Sequence, residues 1–235
     1  MKLICLTYAG GNKYSYRSLE AYIHQEIEMV TLELPGRGSR VAEPLIDNMT
    51  LLVEDLYEQI QEHLCSNYMI FSHSMGGIMG NLLIQKLREN RKQLPNCFLV
   101  TGCRSPKQND FRSKIHHLNK ENFQQEIINL GGMPDEIINS QELLDYMLPI
   151  LKSDIKALEE TLYKETEKYE TPIIVFYGSE ESIKEEDILD WELETSSTFK
   201  YQCLEGNHFF ILNHLEFISG IINKQLLKNK SLIIN

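Results

Sequence analysis

Residues 68–77 read Tyr68-Met69-Ile70-Phe71-Ser72-His73-Ser74-Met75-Gly76-Gly77, and a helical pattern runs on from Met75 to Asn90. A short β-branched and aromatic run that passes through a tight turn into a helix is a strand–turn–helix unit. A serine at the apex of such a turn needs small residues two positions before and after it, because strand and helix backbones approach closely there. Ser72 and Gly76 hold those positions, so the usual G-x-S-x-G pattern stands here as S-x-S-x-G. Serine is small enough for the first place. The turn is expected to raise Ser74 Oγ at the sheet edge, with the Met75 N–H at the helix start placed to stabilise an oxyanion. The plainer reading is a serine–glycine turn that only caps a helix. Ser72 is the second candidate nucleophile, but it lacks the Gly76-Gly77 spacing.

Working outward, Leu3 to Tyr8, Glu28 to Leu34, Cys97 to Thr101, Ile173 to Tyr177 and Phe199 to Leu204 also read as strands. Helical patterns lie between them at Tyr14 to His24, Thr50 to His63 and Phe210 to Leu227. Thr50 is the expected N-cap of the second, with Val53, Leu56, Tyr57 and Ile60 as its apolar stripe. This alternation predicts an α/β fold with a mostly parallel sheet flanked by helices. Residues 107–170 break the pattern. Glu121 to Leu130, Gln141 to Leu148 and Ser153 to Tyr169 read as helices, punctuated by Gly131-Gly132-Met133-Pro134. The reading is a core of residues 1–106 and 171–235 with a helical lid insertion over the sheet's carboxyl edge. Ile127, Ile128, Leu130, Leu144, Met147, Leu148, Ile155 and Leu158 are the lid's apolar side chains, lining a substrate path or packing the lid internally.

The elbow asks for a base and an acid in the order of the α/β-hydrolase fold, serine first and histidine last. His208, in Glu205-Gly206-Asn207-His208-Phe209-Phe210, directly follows the last strand. His24 and His63 fall near helix ends, His214 falls inside the final helix, and His116-His117 lacks the spaced ligands of a metal site. No metal is expected. The acid should follow Tyr177, where Gly178-Ser179-Glu180-Glu181 begins a loop. Its position favours Glu181, with Glu180 second; Asp187 and Asp190 lie farther along.

Composition narrows the class. The 235 residues carry 23 basic against 34 acidic side chains, a net charge of −11, which argues against nucleic acid and anionic membrane surfaces. Five cysteines without C-x-x-C spacing read as reduced, mostly buried thiols. With no apolar run of signal-peptide or transmembrane length, a cytoplasmic protein is expected.

Together these residues resemble the external, type II thioesterases that accompany nonribosomal peptide and polyketide synthases. The matching stretches are Tyr8-Ala9-Gly10-Gly11, Leu34-Pro35-Gly36-Arg37-Gly38-Ser39-Arg40 with Glu43-Pro44, and His73-Ser74-Met75-Gly76-Gly77. Gly131-Gly132-Met133-Pro134, Leu148-Pro149-Ile150-Leu151-Lys152-Ser153-Asp154 and Gly206-Asn207-His208-Phe209-Phe210 follow in order. The resemblance implies a serine hydrolase of acyl or aminoacyl thioesters held on the phosphopantetheine arm of carrier proteins, with no cofactor of its own and acting as a monomer. It implies Ser74 as nucleophile, His208 as base and Glu181 as acid, with the backbone N–H groups of Ala9 and Met75 as oxyanion donors. Three positions depart from the family: Ser72 replaces a glycine, Thr7 a proline, and Glu181 an aspartate. Two rivals share the same residues, a general carboxylesterase of this fold and a non-catalytic carrier-binding homologue.

The charge is uneven. Residues 1–106 hold 10 basic against 11 acidic side chains, whereas 107–170 hold 8 against 13 and 171–235 hold 5 against 10. Acidic carriers are therefore expected at the nearly neutral half, near Arg37 and Arg40, with Arg40 the more exposed contact. The plainer reading is that both arginines only brace the loop. Met147 of the lid is a further candidate contact for carrier or substrate.

Overall fold

Strand interiors rich in Ile, Val, Phe and Leu, apolar on both faces, can be buried only between two helical layers. The computed structural model describes residues 1–108, 114–129 and 138–228 and shows that arrangement. Six strands, β1 (Lys2–Leu6), β2 (Glu28–Leu32), β3 (Tyr68–His73), β4 (Phe98–Thr101), β5 (Ile173–Gly178) and β6 (Phe199–Leu204), form one sheet in the order β2-β1-β3-β4-β5-β6. Every neighbouring pair is parallel. Alternate residues point to opposite faces. Ile4, Leu6, Ile70, Val100 and Val175 pack under α2 (Met49–Ile60) and α3 (Met75–Glu89). Leu3, Cys5, Met69, Phe71, Leu99 and Phe176 face α7 (Leu215–Lys228) and the short α1 (Arg17–Glu20).

Between β4 and β5 lie α4 (Lys120–Asn129) and α5 (Gln141–Glu159); α6 (Glu185–Leu189) follows β5. Because all six strands run the same way, their carboxyl ends open on one edge, where open α/β sheets gather their functional loops. Ala9, Ser74, Glu181 and His208 all lie just beyond those ends.

Several elements differ from expectation. The first strand ends at Leu6 rather than Tyr8, freeing Thr7-Tyr8-Ala9 to form a loop. The helix expected over Tyr14 to His24 shrinks to four residues, bounded by turns. Asn48, not Thr50, caps α2, its side chain accepting the Leu51 N–H at 3.1 Å. Gln141 to Leu148 and Ser153 to Tyr169 are not two helices. One helix, α5, runs through Pro149 and stops at Glu159. Pro149 is exposed, so the backbone bond it cannot make is lost on the solvent side, while Leu144, Leu148, Leu151 and Leu158 hold the buried face together. The last helix begins at Leu215 after a separate 3-10 turn, Phe210–Asn213, which leaves His214 ahead of it, donating Nε2–H to Glu205 O at 2.8 Å. Gly131-Gly132-Met133-Pro134 and Leu130 lie outside the described residues.

Candidate active site

At the end of β3 the backbone turns sharply. Ser74 has φ 55° and ψ −123°, a left-handed conformation that L-residues adopt only under constraint. The constraint is visible on both sides: Ser74 N–H donates to Thr101 O at 2.8 Å, and Gly77 N–H donates to Ser74 O at 2.8 Å. A side chain on Gly76 would sit 2.4 Å from Leu6 O, so only glycine lets α3 leave the sheet this steeply. Ser74 is half-buried, and its hydroxyl does not cap α3. Ser72 is different. It is fully buried inside β3, with its hydroxyl directed to Leu99 O at 3.4 Å. Met75 is the first residue of α3, where an N–H has no helical carbonyl to reach.

Beyond β6, the His208 ring meets Glu181 across the sheet edge, Nδ1 to Oε1 at 2.5 Å. Only 2% of the Glu181 side chain is exposed, and its second oxygen accepts the Gly178 N–H at 2.9 Å. Folding back on the end of its own strand takes up the extra methylene that glutamate has over aspartate. A carboxylate only accepts, so His208 carries its proton on Nδ1 and leaves Nε2 with a free lone pair. The rival carboxylates are elsewhere. Glu180 is exposed, and Asp187 is engaged with Arg104 and with the Lys184 N–H.

His73 was among the seven histidines in the sequence, but nothing there gave it a part. Its ring is fully buried, with its centroid 4.8 Å from that of His208 and 5.3 Å from that of Phe209. Thr101 Oγ1 gives its one proton to Ser72 O, so His73 Nδ1–H is the donor in the 2.9 Å bond between His73 and Thr101. Burial, reinforced by neighbouring His208, holds the His73 pKa well below the usual histidine value. A neutral ring therefore backs His208 and does not compete with it for charge. The only sequence signal was adjacency to Ser74.

The loop after β1 supplies Ala9, half-buried, followed by Gly10 at φ 78°. Gly10 N–H donates to Asp154 Oδ2 at 2.7 Å. Asp154, on α5 and fully buried, also takes both Nη groups of Arg37, at 2.5 and 2.7 Å. This corrects one expectation: Arg37 is 1% exposed and braces the interior, so it is no surface contact for a partner. Removing one partner of such a pair typically costs about 3–5 kcal/mol.

Arg40 is corrected too. Its five N–H groups go to Glu43, Asp55 and the Glu33 carbonyl, which leaves no donor for a docking protein. Both arginines belong to a glycine-bearing turn that folds inward on carboxylates. Met147 is half-buried against the loop after β1, and its Cε would lie 3.2 Å from a side chain placed on Gly10. Phe123, Ile127, Leu144, Leu148 and Leu151 form one cluster with Ala9, Met147 and Ile155 against it, so the inserted helices pack internally and touch the β1 loop at once. Ile128 is half-buried, and Leu158 joins the main core instead.

The arrangement is a strained serine at a helix start, a carboxylate-backed histidine, and a β1 loop whose Tyr8 ring packs on His73 and Phe209, their immediate neighbours in sequence. A thioesterase domain model matches residues 1–226. The chain belongs to the thioesterase family. This thioesterase is 29% identical over 227 residues to the gramicidin S biosynthesis protein GrsT of Aneurinibacillus migulanus, covering 96% of this chain and 89% of that one. It is 27% identical over 233 residues to the medium-chain S-acyl fatty acid synthase thioesterase of Rattus norvegicus, covering 96% and 88%. Among solved structures, ClbQ from the colibactin NRPS/PKS pathway superposes with a TM-score of 0.92 at 29% identity, covering 98% of each chain. The α/β-hydrolase fold and thioester hydrolysis follow from that membership. Among the described residues, no helix of this thioesterase is long and apolar enough to cross a membrane.

Proposed function

We propose that this thioesterase clears acyl and aminoacyl groups from the phosphopantetheine arm of carrier proteins in nonribosomal peptide or polyketide synthesis. Ser74 is the nucleophile, His208 the base and Glu181 the acid that holds His208 in its working tautomer. The Ala9 and Met75 N–H groups receive the oxyanion. The core comprises residues 1–106 and 171–235 and the lid residues 107–170. The protein acts as a cytoplasmic monomer, and the only phosphopantetheine involved is the one on the substrate.

His208 Nε2 takes the Ser74 proton as Oγ attacks the thioester carbonyl, and the negative charge on the carbonyl oxygen falls between the two backbone donors. The carbon–sulfur bond breaks and the pantetheine thiol leaves with the proton from His208. Water, deprotonated by the same Nε2, then releases the acid. Thiols leave readily, so the site needs less leaving-group assistance than an amidase.

The observation that carries this reading is the Glu181–His208 pair, its imidazole 4.8 Å from the ring of His73, which immediately precedes a serine in left-handed backbone conformation, in a chain similar to a gramicidin S biosynthesis protein. Ser74→Ala is expected to abolish release of acyl groups from carrier proteins, measured by mass spectrometry of the carrier, while circular dichroism stays unchanged. Retained turnover would remove Ser74 from the mechanism. A preference for simple oxygen esters over acyl-carriers would favour a general esterase instead.

A further inference from the structure

We infer that Asp154 is a positioning residue for the oxyanion loop, so that the lid helix itself completes the catalytic site. The inference rests on the reading of Ala9 as an oxyanion donor. Ala9 precedes Gly10 in a loop that has left the sheet at Leu6, and such a loop needs an outside anchor to hold an N–H vector. Asp154 supplies it. One carboxylate oxygen accepts the Gly10 N–H at 2.7 Å, and the same oxygen takes an Arg37 Nη at 2.5 Å. The other oxygen takes the second Nη at 2.7 Å, so the fork of Arg37 fixes the carboxylate plane. All of this is buried: Asp154 is 0% and Arg37 1% exposed.

Gly10 is also held from above. A side chain there would meet Leu151 Cδ2 at 2.7 Å and Met147 Cε at 3.2 Å, both on α5. The peptide that joins Ala9 to Gly10 is thus gripped by α5 through a hydrogen bond and by packing. Arg37 serves the anchor rather than the substrate. Moving α5 away from the core would release the Ala9 N–H from its direction, so the chemistry is competent only with this part of the lid seated.

The test separates positioning from mere stability. Asp154→Asn keeps the shape but lacks the charge that orders Arg37 and Gly10. It should lower kcat about ten- to a hundred-fold, short of the roughly 10²–10³ seen when an oxyanion donor is deleted outright, with KM within two-fold. Affinity for butylboronic acid, whose tetrahedral adduct on Ser74 places an oxygen between the same donors, should weaken by the same factor as kcat/KM. Should Asp154→Asn fold poorly, the paired change Arg37→Met with Asp154→Leu removes both buried charges and restores an apolar fit. Its melting temperature should approach wild type while kcat stays low.

Recovery of kcat together with stability in the paired variant would overturn the inference, as would an unchanged boronate affinity in Asp154→Asn. Labelling of Ser74 by a fluorophosphonate in the wild-type protein is the control. Asp154→Asn should label more slowly, because the phosphonyl oxygen needs the same two donors, and equal rates would overturn the inference; if wild-type Ser74 does not label, the serine mechanism falls and the inference falls with it.

Discussion

Glu181 carries two tasks with two oxygens, one on His208 Nδ1 and one on the Gly178 N–H. Glu181→Gln should lower kcat by about 10³–10⁴, because an amide that donates to His208 selects the wrong tautomer. Glu180→Gln, on an exposed side chain, should change it less than two-fold, and steady-state hydrolysis of an acyl-pantetheine distinguishes the two. The reverse order would reassign the acid. His73 makes a different prediction, in stability. Its pKa in the folded protein is depressed below the 6.5 of a free histidine, so the unfolded chain takes up a proton that the folded chain refuses. The resulting stability is fully present above pH 6.5 and is lost as pH falls below it, with a slope approaching about 1.4 kcal/mol per pH unit for one proton. In urea unfolding between pH 7.5 and 5, His73→Gln should show a shallower loss than wild type. Equal slopes would mean that His73 titrates normally.

At the scale of elements, α5 is one helix with two environments. Its first half, Gln141 to Leu148, buries Leu144 and Leu148 in the small cluster with Phe123 and Ile127 of α4 and Ala9, whereas its second half sends Ala157 and Leu158 into the main core and buries Asp154. Glu159 adds an anchor by accepting the Ile115 and His116 N–H groups. Pro149 divides the halves and removes one helical hydrogen bond at the boundary. Amide exchange should therefore be faster in Gln141 to Leu148 than in Ile150 to Glu159, and uniform protection along α5 would refute the division. The same helix shows what sequence can carry. The sharp turn at Ser74 and the meeting of His208 with Glu181 were legible because each depends on a local rule: small residues flanking a serine, and polar residues just past a strand's end. Thr50 failed as a cap because Asn48, two residues earlier, offered a better-placed acceptor. The Asp154 anchor was illegible, since its partners Arg37 and Gly10 lie 117 and 144 residues away and only the folded lid brings them together. Arg37 read as a surface cation for the same reason: nothing near it in sequence reveals a buried carboxylate.

For the whole molecule, the question is how a chain of net charge −11 meets an acidic carrier. The two arginines that offered a local answer are engaged internally, Arg37 with Asp154 and Arg40 with Glu43 and Asp55. What remains is the distribution: the segment that bears the elbow and the β1 loop is nearly neutral, and the excess acid lies in residues 107–235. A near-neutral segment lowers the short-range penalty of contact, but it cannot reverse the sign of the long-range field. Encounter with an acidic carrier should therefore be slowed at low salt and relieved by screening, as the Debye length falls from about 30 Å at 0.01 M to about 8 Å at 0.15 M. The kcat/KM for an acyl-carrier protein should rise a few-fold over that range, while the value for a short acyl-pantetheine, which carries no such field, stays flat. A fall with salt for the carrier alone would reveal a basic docking patch outside Arg37 and Arg40. Equal changes for both substrates would place the salt effect in the chemistry rather than in the encounter.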